Sequence, residues 1–229
     1  MAKSHLKRLA IPSTWPLAKK TLTYISRPLP GAHKMAHQVS LVVFLRDIAQ
    51  VVDTKKQAKY LLHNKECFVD GKVVYNDKRP VGFLDVVSLP TLKKFFRVSI
   101  TSKNKLVALE ISEKEAAQKI SKVRAKTSLR KGKIQLNTLD GRSIIIDDPK
   151  KYLVGDSVLI SLPDQKIIEH FSMKPGALIF LDAGRHVGNS GTVESVDDTE
   201  IVVKTTNGVF RTKRKYAVVL GKDKPAITM

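Results

Sequence analysis

Residues 183–196 read AGRHVGNSGTVESV, with Gly184, Gly188 and Gly191 set among Arg185, His186, Asn189 and Ser190. Flexible residues around a cation are the ingredients of a phosphate-binding loop. A Walker A loop also needs a glycine followed by Lys and then Ser or Thr, because the lysine reaches the terminal phosphates and the hydroxyl binds magnesium. No glycine in this chain is followed by that pair. The dinucleotide fingerprint needs GxGxxG opening a helix, so that the pyrophosphate meets the helix N-terminus. Here the glycine spacing differs, and the loop is followed by the β-rich runs TVESV and EIVVKTT. Both small-nucleotide chemistries fail, and the loop reads as β–loop–β.

Other reactive side chains form no constellation. Cys67 is the single cysteine, which excludes an internal disulfide and suits a reducing compartment. It opens the segment CFVDG, where a buried apolar thiol is the expected role. The six histidines lack CxxC or HExxH spacing, so no metal site is expected. Asp140 and Asp156 fall in turns, where a structural role is expected, and no convergent nucleophile, base or cofactor loop is evident. Catalysis, a small-molecule substrate and a cofactor are therefore not expected.

The chemistry the residues do offer is polyanion binding. The chain of 229 residues carries 41 Lys+Arg against 21 Asp+Glu, a formal net charge of +20. Such an excess repels itself and attracts nucleic acid. A membrane is the competing polyanion, but no stretch approaches the ~18 apolar residues a span requires, and the amino end lacks the apolar core of a secretory signal. No acid precedes Asp47. Within that acid-free stretch Lys3, Lys7, Arg8, Lys19, Lys20, Arg27 and Lys34 supply charge, while His5, Trp15, Tyr24 and His33 supply flat rings. Cations neutralise phosphates and rings stack on unpaired bases. A solvated tail, with Trp15 docked on the body, is the alternative.

The elements that must position these groups follow from periodicity. Pro12, Pro16, Pro28 and Pro30 interrupt helices, so residues 1–40 read as an extended basic arm. Leu41, Leu45, Ile48 and Val52 recur at helical spacing. Asp53 or Thr54 then caps a second helix with Ala58, Leu61 and Leu62 on its buried face. Lys55, Lys56, Lys59 and His63 make a basic stripe on its other side. Val69-Asp70-Gly71-Lys72-Val73 reads as a tight turn between strands. Ser112 and Glu115 stand at capping-box spacing, and Ala116, Ile120 and Val123 predict a short amphipathic bridge helix. Ahead of the β-rich remainder, RAKTSLRKGKIQ is a second acid-free patch, carrying Arg130, Lys131 and Lys133. Beyond it, KIQLNTLDGRSIIID, GDSVLISL, KIIEHFSM and GALIFLDAG are short apolar runs between turn signals, the spacing of one or two small barrels. Asn207-Gly208 marks a hairpin. The fold class expected is α+β and multi-module, divided at 1–40, 41–100, 101–173 and 174–229.

The helix–helix–hairpin order with LLHNKECFVDGKVV resembles the alpha-L RNA-binding motif of ribosomal proteins and RNA-modifying enzymes. That motif's usual glycine after its second helix is Lys65 here, so Asn64 or Lys65 must supply the left-handed turn. GRHVGNSGTVESV resembles a KOW motif, a β-loop-β unit within an SH3-like barrel. With HLKRLAIPSTW at the start and KGKIQLNTLDGR in the middle, nearly the whole chain resembles the small-subunit ribosomal proteins numbered four of the eukaryotic/archaeal class. The absence of a long eukaryotic-style end points to an archaeal source. The resemblance implies a structural role in the small subunit, with rRNA and neighbouring ribosomal proteins as partners and no homo-oligomer. In the acid-free arm, RNA contact is expected from Lys3, His5, Lys7, Arg8, Trp15, Lys19, Lys20, Arg27, His33 and Lys34. Arg46, Lys55, Lys56, Lys59 and Lys72 continue that set, as do Arg130, Lys131, Lys133, Arg185, His186 and Asn189. Rival readings are a KOW-bearing transcription factor and an appendage of an RNA-modifying enzyme, the latter lacking any catalytic domain here.

Overall fold

The structure is a computed structural model that describes residues 5–130, 133–146, 148, 151–205, 208–222 and 224–229. It is mostly β, with few and short helices, and divides into two compact units, Met1–Ala117 with Met229 and Gln118–Thr228. Two site residues expected from sequence, Lys3 and Lys131, lie outside the described residues, as does Asn207 of the expected hairpin.

In the first unit the amino-terminal segment is folded. Strands β1 (Leu6–Lys7) and β2 (Tyr24–Ile25) pair antiparallel, and Ile11, Trp15 and Ile25 are buried. This corrects the extended arm. Backbone groups are satisfied by distant chain: Leu106 N donates to Thr14 O at 2.9 Å, Thr14 Oγ1 to Ala36 O at 2.5 Å, and Lys105 Nζ to Ser13 O. Next come β3 (Gln38–Ser40) and α1 (Leu41–Val43), which runs on as a π turn over Phe44–Ile48. Helix α2 (Lys55–His63) follows and packs against α1.

The strands β4 (Phe68–Val69), β5 (Lys72–Val73), β6 (Pro80–Gly82), β7 (Val86–Leu89), β8 (Lys94–Ile100) and β9 (Leu106–Glu110) complete the framework. β6 pairs with β3, and the others form an antiparallel sheet in the order β5-β4-β7-β8-β9. The boundary expected at 100/101 therefore falls inside the β8–β9 hairpin. Leu41 to Leu45, Ala58, Leu62, Val86, Val87 and Val98 are buried and form the apolar interior. Cys67 is buried, and desolvation pushes its thiol up to about 12, as an inert apolar side chain requires.

The expected bridge helix is cut short. Helix α3 spans only Glu113–Ala116, with the Ser112 hydroxyl accepting from Glu115 N. Ile120 and Val123 instead lie on the long strand β10 (Gln118–Ser128). Spacing of Ala116, Ile120 and Val123 suited a helix, but β10 sits centrally between two partners and a bulge near Val123 shifts its register. The bulge lies beyond Val123; Lys119 to Val123 are all buried, so both faces of this stretch are covered and Ile120 and Val123 are buried although an odd number of residues apart.

The second unit continues with β11 (Ile134–Thr138), β12 (Ser143–Ile146), β13 (Ser157–Ser161) and β14 (Ile167–Phe171). Its first sheet has the order β12-β11-β10-β13-β14 around Val123, Leu136, Ile146, Tyr152, Val158 and Ile160. The second sheet holds β15 (Leu178–Leu181), β16 (Ser190–Val196), β17 (Glu200–Thr205), β18 (Gly208–Lys213) and β19 (Ala217–Gly221), ordered β18-β17-β16-β15-β19. Buried Lys122 joins the sheets, its ammonium donating to the carbonyls of Arg214, Lys215 and Ala217.

Candidate nucleic-acid interface

Helix α2 is fixed at both ends, which gives its side chains a defined direction. At the start, Thr54 Oγ1 accepts from Gln57 N at 3.2 Å, and Gln57 Oε1 accepts from Thr54 N and Asp53 N, each at 3.0 Å. This is a reciprocal capping box, so Thr54, of the two candidates, is the cap. At the end, Lys65 N donates to Leu62 O at 3.2 Å and Glu66 N to Leu61 O at 3.1 Å. These are the two bonds of a Schellman motif, and Lys65 takes the left-handed position with φ of 62°. The chain then makes its expected tight turn, with Asp70 and Gly71 at φ of 51° and 74°. Two successive positive values identify a type I′ hairpin turn, whose twist matches the paired strands.

Between these caps Ala58 and Leu62 are buried and Leu61 is half-buried. On the outer side Lys56, Lys59 and His63 are exposed. Lys55 is exposed too but pairs with Asp77 at 3.1 Å, so part of its charge is answered within the protein. Arg46 is half-buried and donates to both oxygens of Asp47, at 3.1 and 2.7 Å. The hydrogen bond to Asp47, offset in part by burial, raises the Arg46 guanidinium above its ordinary range. Lys72 is exposed on β5.

The amino-terminal segment divides its expected contacts between surface and interior. His5, Lys7, Lys19, Lys20 and Lys34 are exposed, and His5 meets Tyr24 edge-on with ring centroids 5.5 Å apart. Arg27 is half-buried. His33 lies 3.2 Å from Asp85, whose other oxygen accepts from Gly82 N at 2.7 Å. Two expectations are corrected here. Arg8 is buried, with Nε donating to Ala18 O at 2.6 Å, and so braces the segment. Trp15 is only 1% exposed, so its ring is a core group and offers no face for stacking.

In the second unit Arg130 and Lys133 are exposed at the β10–β11 turn. The β15–β16 loop is β–loop–β, as its sequence suggests. Gly184 and Gly188 have φ of 93° and 78°. Gly191 does not share that conformation; it is needed for close approach, since a Cβ there would lie 2.5 Å from Lys204 O. Arg185 is exposed, Asn189 is half-buried, and His186 stacks on Phe210 with centroids 3.8 Å apart. Sequence reasoning missed Tyr60, 67% exposed on the cationic side of α2. Its single signal was an aromatic at a polar helical position.

These features define a protein with dispersed cationic surfaces on a mostly β scaffold, and no group of three or more potential metal ligands occurs among the described residues. Residues 2–36 match the RS4NT (NUC023) domain and residues 92–167 match the family described as Ribosomal family S4e. The small ribosomal subunit protein eS4 of Methanosphaera stadtmanae is 36% identical over 234 residues, covering 100% of this chain and 96% of the relative. Its namesake from Methanocella arvoryzae is 37% identical over 233 residues, covering 99% and 98%. The crystal structure of the 30S ribosomal protein S4e from Thermoplasma acidophilum superimposes with a TM-score of 0.71 at 34% identity, covering 81% of this chain and 96% of that one. The chain belongs to the ribosomal S4e family.

Proposed function

We propose that this protein is a structural constituent of the small ribosomal subunit, holding rRNA and contacting neighbouring ribosomal proteins in the cytoplasmic ribosome. The observation that carries the reading is full-length similarity to archaeal eS4 proteins in a chain of net charge +20. Its family is one of ribosomal structural proteins, which assigns no catalysis, and neither rival reading gains support. In this reading residues 41–100 act as an alpha-L module, supported by the capped α2 and the hairpin turn that follows it. Residues 174–229 act as a KOW-bearing SH3-like barrel, supported by the five antiparallel strands β15 to β19 and the loop joining β15 to β16. The segments before residue 41 and from 101 to 173 add further basic surface.

Lys56, Lys59, Lys72, Arg130, Lys133 and Arg185 are exposed cations suited to phosphate contact, joined by Lys7, Lys19, Lys20 and Lys34. Phosphate contacts supply affinity without reading sequence, and the shape of folded rRNA supplies the address. Each neutralised phosphate releases counterions, so log affinity falls linearly with log salt. The test is sedimentation of the full chain with reconstituted subunits through sucrose at native magnesium, followed by sequencing of RNA crosslinks. Crosslinks concentrated in small-subunit rRNA, with steep salt dependence, are expected. A chain that stays at the top of the gradient overturns the reading.

A further inference from the structure

Beside the cationic side of α2 lies a shallow, open recess of about 620 Å³. Val52, Leu61 and Leu92 give it apolar walls, and Tyr60, Lys56 and Asp53 also line it. Tyr60 and Leu92 are 67% and 44% exposed, so the pocket presents an aromatic ring and apolar surface to solvent. An exposed aromatic ring beside cations is the combination that holds single-stranded nucleic acid. Its surroundings narrow the choice of partner. Lys56 and Lys59 stand on the same helix, and Lys93 and Lys94 follow Leu92, all exposed. An apolar recess with Lys56 at its wall and further lysines on the same elements suits a ligand with a flat uncharged part joined to an anionic chain.

We infer that this pocket takes an unpaired nucleobase of the bound RNA, stacked on Tyr60 while Lys56 and Lys59 hold the flanking phosphates. The inference rests on the RNA-binding reading above and adds to it a single-stranded contact. Aromatic side chains accept any base face, whereas base edges need a polar partner. Asp53 supplies an acceptor only, and its backbone is held by the hydrogen bond from Asp53 N to Gln57 Oε1. A carboxylate accepts from the exocyclic amino group of cytosine or from the N3–H of uracil, so either pyrimidine can be held at its edge.

The experiment measures binding of the full chain to hairpin RNAs that share one stem and carry a loop of cytidines, of uridines or of abasic sites. The abasic loop retains every phosphate and lacks only the bases. The cytidine loop is expected to bind roughly 5- to 100-fold tighter than the abasic loop, the range that stacking of a base on an aromatic ring provides. Tyr60→Ala removes that advantage and Tyr60→Phe keeps it. Lys56→Ala and Lys59→Ala weaken all three hairpins alike and lower the salt slope. Equal affinity for cytidine and abasic loops, or an advantage that survives Tyr60→Ala, overturns the base pocket while leaving the phosphate contacts standing. So does a Tyr60→Ala chain with unaltered RNA affinity whose reconstituted subunits lose a neighbouring protein, because the pocket then holds a protein side chain. A flat salt response for every hairpin overturns the RNA-binding reading itself.

Discussion

The imidazole of His186 lies flat on the ring of Phe210, with planes 12° apart and centroids 3.8 Å apart. This stack ties the β15–β16 loop to the edge strand β18, which is not its hydrogen-bonded neighbour in the sheet. The loop is therefore held from two directions, and Arg185 projects from a fixed base. Stacked aromatic pairs contribute about 0.5–1.5 kcal/mol beyond area burial. A double-mutant cycle of His186→Ala and Phe210→Ala in urea denaturation is expected to show coupling of about that size. Arg185→Glu, at an exposed position, leaves the unfolding midpoint in place but weakens RNA binding and reduces the salt slope by about one unit or more.

Thr54 is the hinge between sequence and surface at α2. Its hydroxyl satisfies Gln57 N, and Gln57 returns the bond to Thr54 N. Thr54→Ala removes half of this box and is expected to cost about 1 kcal/mol. Thr54→Ser retains the acceptor and restores most of the loss. Urea denaturation gives the energies, and amide exchange at residues 55–58 shows whether the first turn frays.

Local chemistry explains which of these features could be read from sequence alone. Thr54 with Gln57, Lys65 after Leu62, and Asp70-Gly71 are short-range devices whose partners lie within a few residues. Their bonds do not depend on how the rest of the chain folds. Trp15 and Arg8 are different, since an acid-free, proline-punctuated segment looks the same whether free or docked. The long-range bonds from Leu106 to Thr14 and from Lys105 to Ser13 decide the matter. Ile120 and Val123 misled for another reason: β10 is buried on both faces from Lys119 to Val123, so apolar residues three apart mimic a helical face. The Tyr60 pocket needed Leu92 to be brought to α2 from another part of the chain.

Asp140 gives the second unit an acid-sensitive tie. Burial alone would raise its carboxyl, but the Lys119 ammonium at 3.2 Å, the Thr138 hydroxyl, Arg142 at 3.0 Å and the Ser121 hydroxyl outweigh burial. The carboxyl is held below the usual range. A depressed pKa in the folded state means the unfolded chain binds more protons just below its own value, about 3.9. The stabilisation is complete above that value and is lost as pH falls through the folded one. Asp140→Asn is expected to flatten stability across this acid window. At neutral pH it is destabilised by about 3–5 kcal/mol, since Lys119, 1% exposed, loses its carboxylate partner. Urea midpoints measured from neutral pH to below 4 provide the comparison, and parallel curves for the two proteins would refute it.

Gly188 and Gly191 test whether the loop's glycines serve shape or ligand. Gly188 sits at φ of 78°, where an L side chain is strained by about 1–2 kcal/mol. Gly191 has no such angle, but an added Cβ would press on Lys204 O at 2.5 Å and on the Thr205 hydroxyl at 2.7 Å. The first of these is backbone of the paired strand β17, so the strands must separate to admit it. Overpacking of this sort costs about 1–3 kcal/mol. Gly188→Ala and Gly191→Ala are thus both expected to lower the unfolding midpoint, for different reasons. Gly191→Ala should also raise amide exchange along the β16–β17 ladder, whereas Gly188→Ala should confine its effect to the loop. At a temperature where both remain folded, neither should alter RNA affinity as Arg185→Glu does. If Gly188→Ala weakened RNA binding without lowering the midpoint, the loop backbone itself would be a contact, and its glycines would serve the ligand as well as the turn.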